Sequence, residues 1–187
     1  MFTESNGSTA CCQPPKTGGY PFSSTHVLLP GTLAREVMAW GEENIEDEDL
    51  FIDPADPTKG REDEPHVTLL YGIHHDHSGA VRKVLSEAHP FAIRLGKTSR
   101  FSDCPKFDVL KVEAESLDLR RLHDRLKECV PCTESFPTYK PHVTLAFVQK
   151  GRCRRLNNSK AFCGLTFVAR EIVFSSFFGF QETLPLG

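Results

Sequence analysis

Pro65-His66-Val67-Thr68-Leu69 and Pro141-His142-Val143-Thr144-Leu145 are the same pentapeptide, present twice in a chain of 187 residues. An identical five-residue word recurs by chance in a chain of this length with odds on the order of 1%. Each copy opens a run rich in β-branched and aromatic residues, PHVTLLYG and PHVTLAFV, which is the composition of a strand. Side chains of a strand alternate between its two faces, so His66 shares a face with Thr68 while Val67 and Leu69 take the other. His142 and Thr144 repeat the arrangement. Each strand therefore presents an imidazole beside a hydroxyl, backed by an apolar face that can pack on a core. Extended outward, the alternation adds Glu64 to the first histidine face and Lys140 to the second, and sends Tyr71 and Phe147 to the core side.

Imidazole titrates near pH 6.5, so two histidines can hold opposite protonation states at neutral pH. One accepts a proton while the other donates one, as displacement at phosphorus or at an acyl carbon requires. A threonine hydroxyl two residues on can donate a hydrogen bond to a phosphate oxygen, where it helps most as negative charge grows in the transition state. No nucleophilic side chain, metal or cofactor is called for. Lys140 would depress the pKa of His142 and Glu64 would raise that of His66, which casts His142 as the base and His66 as the acid. Four further residues are candidates for holding substrate: Lys140 to attract phosphate, Tyr139 to stack on a base, Arg61 in the approach to the first motif as a phosphate ligand, and His26 as a wall of the site.

Two His-x-Thr motifs, each opening a strand after proline, resemble those of the two-histidine (2H) phosphoesterase superfamily, which includes RNA ligase-like and cyclic phosphodiesterase-like proteins. The flanking segments SSTHVLLPG and GREDEPHVTLLYGIH further resemble its bacterial and phage 2′-5′ RNA ligase-like members. The likeness spans roughly residues 23–180. Carried over by position, it implies His66 and His142 as the acid/base pair and Thr68 and Thr144 as phosphate-oxygen donors. It also implies a bilobal α+β fold, with two antiparallel sheets forming a central cleft and helices outside. The chemistry implied is metal-independent, on 2′,3′-cyclic phosphates, 2′-5′ linkages or cyclic oligonucleotide messengers, the last with an anti-defence role by analogy to phage members. The alternative is a non-catalytic module that binds a nucleotide or RNA end in the same cleft. A metallohydrolase built on His74-His75-Asp76-His77 is a second rival.

A net charge of −3 gives no broad basic surface of the kind that holds long double-stranded nucleic acid. The expected partner is a small phosphorylated nucleotide or a short RNA end, bound by a monomer. No apolar run approaches the ~20 residues of a membrane span and no signal-peptide core opens the chain, so a cytoplasmic protein is expected. The seven cysteines then read as free thiols, and Cys129-Val130-Pro131-Cys132 reads as the end of a helix more than as a metal or redox site. The cluster at His74–His77 reads as a solvated turn.

Residues 1–20, polar and without periodicity, are expected to form a disordered tail ahead of one bilobal domain over 21–187. The pattern predicts a strand at 25–29, a helix capped by Thr32, and a long acidic loop over 43–64. After the first motif strand come a helix capped by Ser78, strands at 91–95 and 107–112, and a helix capped by Ser116 and ended by Pro131 and Pro137. The second motif strand and two late strands, 165–168 and 172–180, complete the chain. The histidines stand 142 − 66 = 76 residues apart, a plausible length for one lobe of an internal duplication.

Overall fold

The computed structural model describes residues 22–133, 136 and 138–187, so the tail expected over 1–20, and Pro137, lie outside the described residues. The elements follow as β1 (Ser23–Leu28), α1 (Gly31–Asn44), β2 (His66–Ile73), α2 (Gly79–Leu85), β3 (Phe91–Phe101), β4 (Phe107–Glu115), α3 (Leu117–Cys129), β5 (His142–Gln149), β6 (Thr166–Ala169), β7 (Glu171–Ser175) and β8 (Gln181–Pro185). The late run expected as a strand at 172–180 is strand only in β7, and a further strand, β8, follows it. The chain turns back through Ser176–Phe180, where Gly179 adopts φ +92° and Ser176 N–H donates to Phe180 O.

Every strand pair is antiparallel, in the order β6-β3-β4-β5-β2-β1-β7-β8. The α+β class and the antiparallel pairing are as the sequence predicts, and the strands form one continuous eight-stranded sheet. The motif strands β5 and β2 are its central pair, where two four-stranded halves meet. That junction is narrow, with Val67 opposite Val143 as its one registered pair. Past it the halves diverge, and the sheet curls around a groove.

Divergence leaves each motif strand with an unpaired edge, and buried backbone groups must find partners. The segment that precedes each motif closes the edge of the other. On β5, Phe51 N–H donates to Phe147 O (2.9 Å), Phe147 N–H to Gly60 O (2.8 Å) and Glu62 N–H to Leu145 O (3.0 Å). On β2, Thr133 N–H donates to Gly72 O (2.9 Å) and His74 N–H to Pro131 O (3.0 Å). Gly72 has φ +95°, and a Cβ there would stand 2.1 Å from the Thr133 carbonyl oxygen, so this closure requires glycine. The helices cross in the same way: α1 follows β1 but packs on β5, and α3 follows β4 but packs on β2. The long acidic loop is thus an ordered strap, carrying a 3-10 turn at Asp47–Asp49.

Ser116 caps α3 as expected, accepting from Leu119 N–H at 3.2 Å, and Leu119, Leu122 and Leu126 are buried. The other two expected caps fail. Helix α1 begins after Pro30, so Thr32 lies inside its first turn. Ser78 stands at the start of α2, but its hydroxyl donates to the Glu182 carboxylate on β8. Val67, Leu69, Val143 and Leu145 join one continuous core beneath the sheet. A second, small cluster (Cys104, Phe107 and Phe147, with Phe51 and Val109) lies apart from it.

Candidate functional site

The ladder registers place the motif residues on the groove face. Leu28 lies opposite His66 and His26 opposite Thr68 on one side. Glu113 lies opposite His142 and Lys111 opposite Thr144 on the other. With Val67 facing Val143 in an antiparallel pair, His66 comes beside Thr144, and His142 beside Thr68. Each imidazole therefore neighbours the other motif's hydroxyl, so the two motifs form one site.

Both motif strands then do the same irregular thing. In β2 the register with β1 skips Leu69, and in β5 the register with β4 skips Leu145. These are β-bulges at the last residue of each pentapeptide, and a bulge reverses the faces of everything after it. Consecutive burial marks them: Leu69 and Leu70, Leu145 and Ala146 are all in the core. The freed carbonyls are satisfied by crossing segments, Leu69 O by His123 Nδ1–H at 2.6 Å and Leu145 O by Glu62 N–H. Tyr71 and Phe147 are consequently on the histidine face, which corrects the alternation drawn from sequence. Phe147 is nonetheless buried, because the strap lies over it: Lys59 Nζ sits 4.1 Å from its ring centroid and pairs with Asp56 at 3.1 Å.

The two histidines are held alike. His66 Nδ1 is 2.8 Å from Glu64 O, and His142 Nδ1 is 2.7 Å from Lys140 O. A carbonyl only accepts, so each Nδ1 carries the proton that it donates, and each Nε2 is left for chemistry. No partner among the described residues takes either Nε2, or the hydroxyl of Thr68 or Thr144. All four side chains are half-buried. The arrangement offers two imidazole nitrogens, each able to accept a proton or, once protonated, to donate one, flanked by two hydroxyls.

The environments of the two histidines differ. Desolvation pushes the His142 pKa down to about 4, with the Lys111 ammonium and His66 adding to the shift and the Lys140 carbonyl opposing it. The direction is the one expected from sequence, but the cation responsible is Lys111 and not Lys140. Lys140 is exposed, its ammonium 5.9 Å from the Phe101 ring centroid, at the rim of the site. The Phe101 ring meets His142 edge-on at 4.9 Å, and Lys111 Nζ lies over the same ring at 4.4 Å. His26 packs on His66 with centroids 4.9 Å apart. Burial, followed by the charge of His66, lowers its pKa to about 3, so it is neutral at physiological pH.

Two of the candidates for substrate contact are used elsewhere. Arg61 donates to Gly41 O (2.9 Å), Ile45 O (2.7 Å) and Asp47 Oδ1 (2.6 Å), closing the C-terminal end of α1. Tyr139 stacks flat on His123 at 3.9 Å and donates its hydroxyl to Thr68 O at 2.8 Å, so it braces the motif strand from behind. The histidine cluster disperses: His74 Nε2 pairs with Thr133 Oγ1, while the rings of His75 and His77 stack on each other. Among the described residues, no three His, Cys, Asp or Glu side chains converge as metal ligands, and the described cysteines are free thiols. No helix among them is long and apolar enough to cross a membrane.

Lys111 and Phe101 are site residues that the sequence did not disclose. The signal for Lys111 lay in FDVLKVEAE, where Val109, Lys111 and Glu113 alternate with the buried Leu110, Val112 and Ala114. Phe101 lies at the end of a strand expected to stop at Leu95. A register break between Leu95 and Thr98 interrupts the alternation, yet pairing resumes to Phe101.

This groove, with a His-x-Thr strand from each half, is that of the 2H phosphoesterases. Residues 48–161, more than half of the chain, match the model of the 2′-5′ RNA ligase superfamily, and the protein belongs to that family. Among solved structures, TT0787 of Thermus thermophilus superposes with a TM-score of 0.62 at 18% identity, over 88% of this chain and 97% of that one. E. coli LigT complexed with 3′-AMP gives 0.56 at 18%, over 89% and 96%. A protein described as a phosphoesterase gives 0.56 at 14%, over 89% and 96%. No curated protein matches the chain.

Proposed function

We propose that the protein is a phosphodiesterase acting beside a ribose 2′-hydroxyl, on a 2′,3′-cyclic phosphate, a 2′-5′ linkage or a cyclic oligonucleotide, with His142 as base and His66 as acid. The observation that carries this is the matched pair of imidazoles, each with Nδ1 tied to the carbonyl two residues back and Nε2 left over. His142 Nε2 takes the proton of a water or 2′-hydroxyl as that oxygen attacks phosphorus. The opposite P–O bond breaks, and its oxygen takes the proton of His66 Nε2–H. Thr68 and Thr144 donate to the non-bridging oxygens, whose charge grows as the new bond forms. Solvent then returns the histidines to their starting states, and no side chain is covalently modified.

LigT of E. coli has been seen with 3′-AMP, phosphate, ATP and NADP+, all small phosphorylated molecules. That agrees with a groove too sparsely basic for a long polyanion, in a chain of net charge −3. A monomer serves such a substrate, since both motifs come from one chain.

Incubating the protein and a His142→Ala variant, each with and without chelator, with 2′,3′-cyclic nucleotides, 2′-5′ oligoadenylates and cyclic di- and trinucleotides tests the proposal. Cleavage by the parent alone is expected. Tight binding of one member without cleavage of any would instead make this a binding module. Activity abolished by chelator would point to a metallohydrolase.

A further inference from the structure

The two halves of the site are built on one plan with one substitution in it. Each motif threonine faces a buried residue on the flanking strand, His26 opposite Thr68 and Lys111 opposite Thr144. Both are 6% exposed. They correspond position for position: His26 lies two residues before the partner of His66, and Lys111 two residues before the partner of His142. The first half places an imidazole there and the second an ammonium.

Lys111 is fixed in place. Its Nζ donates to Ser99 Oγ at 2.7 Å and rests on the Phe101 ring, whose edge touches His142. Ser99 stands opposite Lys111 on β3, so this anchor comes from the strand beyond. His26 has no such anchor, and its buried Nε2 lacks a hydrogen-bond partner among the described residues. An imidazole so placed stays neutral and brings no charge to His66.

We propose that Lys111 is a positioning residue that sets the direction of proton flow, fixing His142 as the base because it places a buried cation beside that histidine and not beside His66. This rests on the two-histidine reading above and deepens it. The charged and titratable groups facing His142 are Lys111 and Glu113 from β4, His66 from β2, and Lys140 at the entry to β5. Facing His66 are His26 from β1, His142 from β5 and the backbone of Glu64. Burial lowers the pKa of Lys111 from the ordinary lysine value, Lys140 adds to that shift and Glu113 opposes it by supporting the charge. A cation beside an imidazole disfavours its protonation, so the free enzyme keeps His142 ready to accept. A bound phosphodiester then supplies the anion that lets His142 take up its proton.

NMR titration of the imidazole resonances of His66 and His142 in the parent, Lys111→Met, Lys111→Arg and Ser99→Ala tests this without any substrate. In Lys111→Met the His142 titration is expected to move alkaline by about one pH unit while that of His66 moves much less. Lys111→Arg should restore the parental midpoint. Ser99→Ala, which loosens the ammonium but keeps its charge, should give a smaller shift in the same direction, and it stands in if the methionine variant does not fold. An unmoved His142 midpoint in Lys111→Met and Ser99→Ala overturns the inference. Where a substrate is turned over, the acid limb of kcat/KM should move with the NMR midpoint. Absence of turnover on every substrate would remove the enzymatic reading, and the NMR result would still decide the role of Lys111.

Discussion

At the scale of single residues, the backbone carbonyls of Glu64 and Lys140 decide what the histidines can do, because they fix which ring nitrogen carries hydrogen. The threonines come next. Thr68→Val and Thr144→Val keep shape and strand character but remove a donor, so each should lower kcat roughly 10²–10³-fold with KM little changed; a KM effect alone would mean that they bind substrate without favouring the transition state. Arg61 gives the opposite expectation. Arg61→Ala removes three bonds at the end of α1 and should cost about 2–3 kcal/mol in denaturant unfolding while leaving KM unchanged. A raised KM with intact stability would return Arg61 to the list of phosphate ligands. Tyr139→Phe should likewise lose about 1 kcal/mol of stability without altering preference among bases, since its ring is already stacked on His123.

At the scale of elements, the two motif strands were legible from residues 65–69 and 141–145 alone, because period-2 alternation and a repeated word need no tertiary information. The α3 face of Leu119, Leu122 and Leu126 was legible for a similar reason. The bulges were not, since a bulge is defined by the partner strand; the only trace in sequence is the doublet of apolar residues at Leu69-Leu70 and Leu145-Ala146. Lys111 was invisible as a site residue for the same cause: only the register of β4 on β5 brings it to Thr144. The caps predicted at Thr32 and Ser78 failed because other demands came first, the rigid φ of Pro30 at the start of α1 and the Glu182 carboxylate beside Ser78. The strap belongs to this scale as well. Lys59→Met keeps contact with Phe107 and Phe147 but breaks the pair with Asp56. Limited proteolysis should then cut within 46–61 faster than in the parent; an unchanged cutting rate would show that the apolar contacts hold the strap unaided.

At the scale of the whole molecule, His26 links stability to pH. Its pKa in the folded state is about 3, against 6.5 when unfolded, so between these values the unfolded chain binds a proton that the folded chain does not. Stability is therefore full above about pH 6.5 and declines as pH falls toward 3, with this residue contributing a slope of about 1.4 kcal/mol per pH unit. His142 adds to the slope down to about 4. His26→Phe should flatten the acid side of a stability-versus-pH curve, and a curve parallel to the parent's would place the proton uptake elsewhere. The seam at Val67–Val143 has a mechanical consequence. A body flexing about a line displaces its parts in proportion to their distance from that line. The histidines and threonines flank the seam by one residue, whereas β6 and β8 are the outermost strands, each three strands away from the motif strand of its half. For any such flexing the reacting side chains, next to the line, are displaced least, so the spacing of the two motifs is the dimension of the site best protected from distortion at its rims.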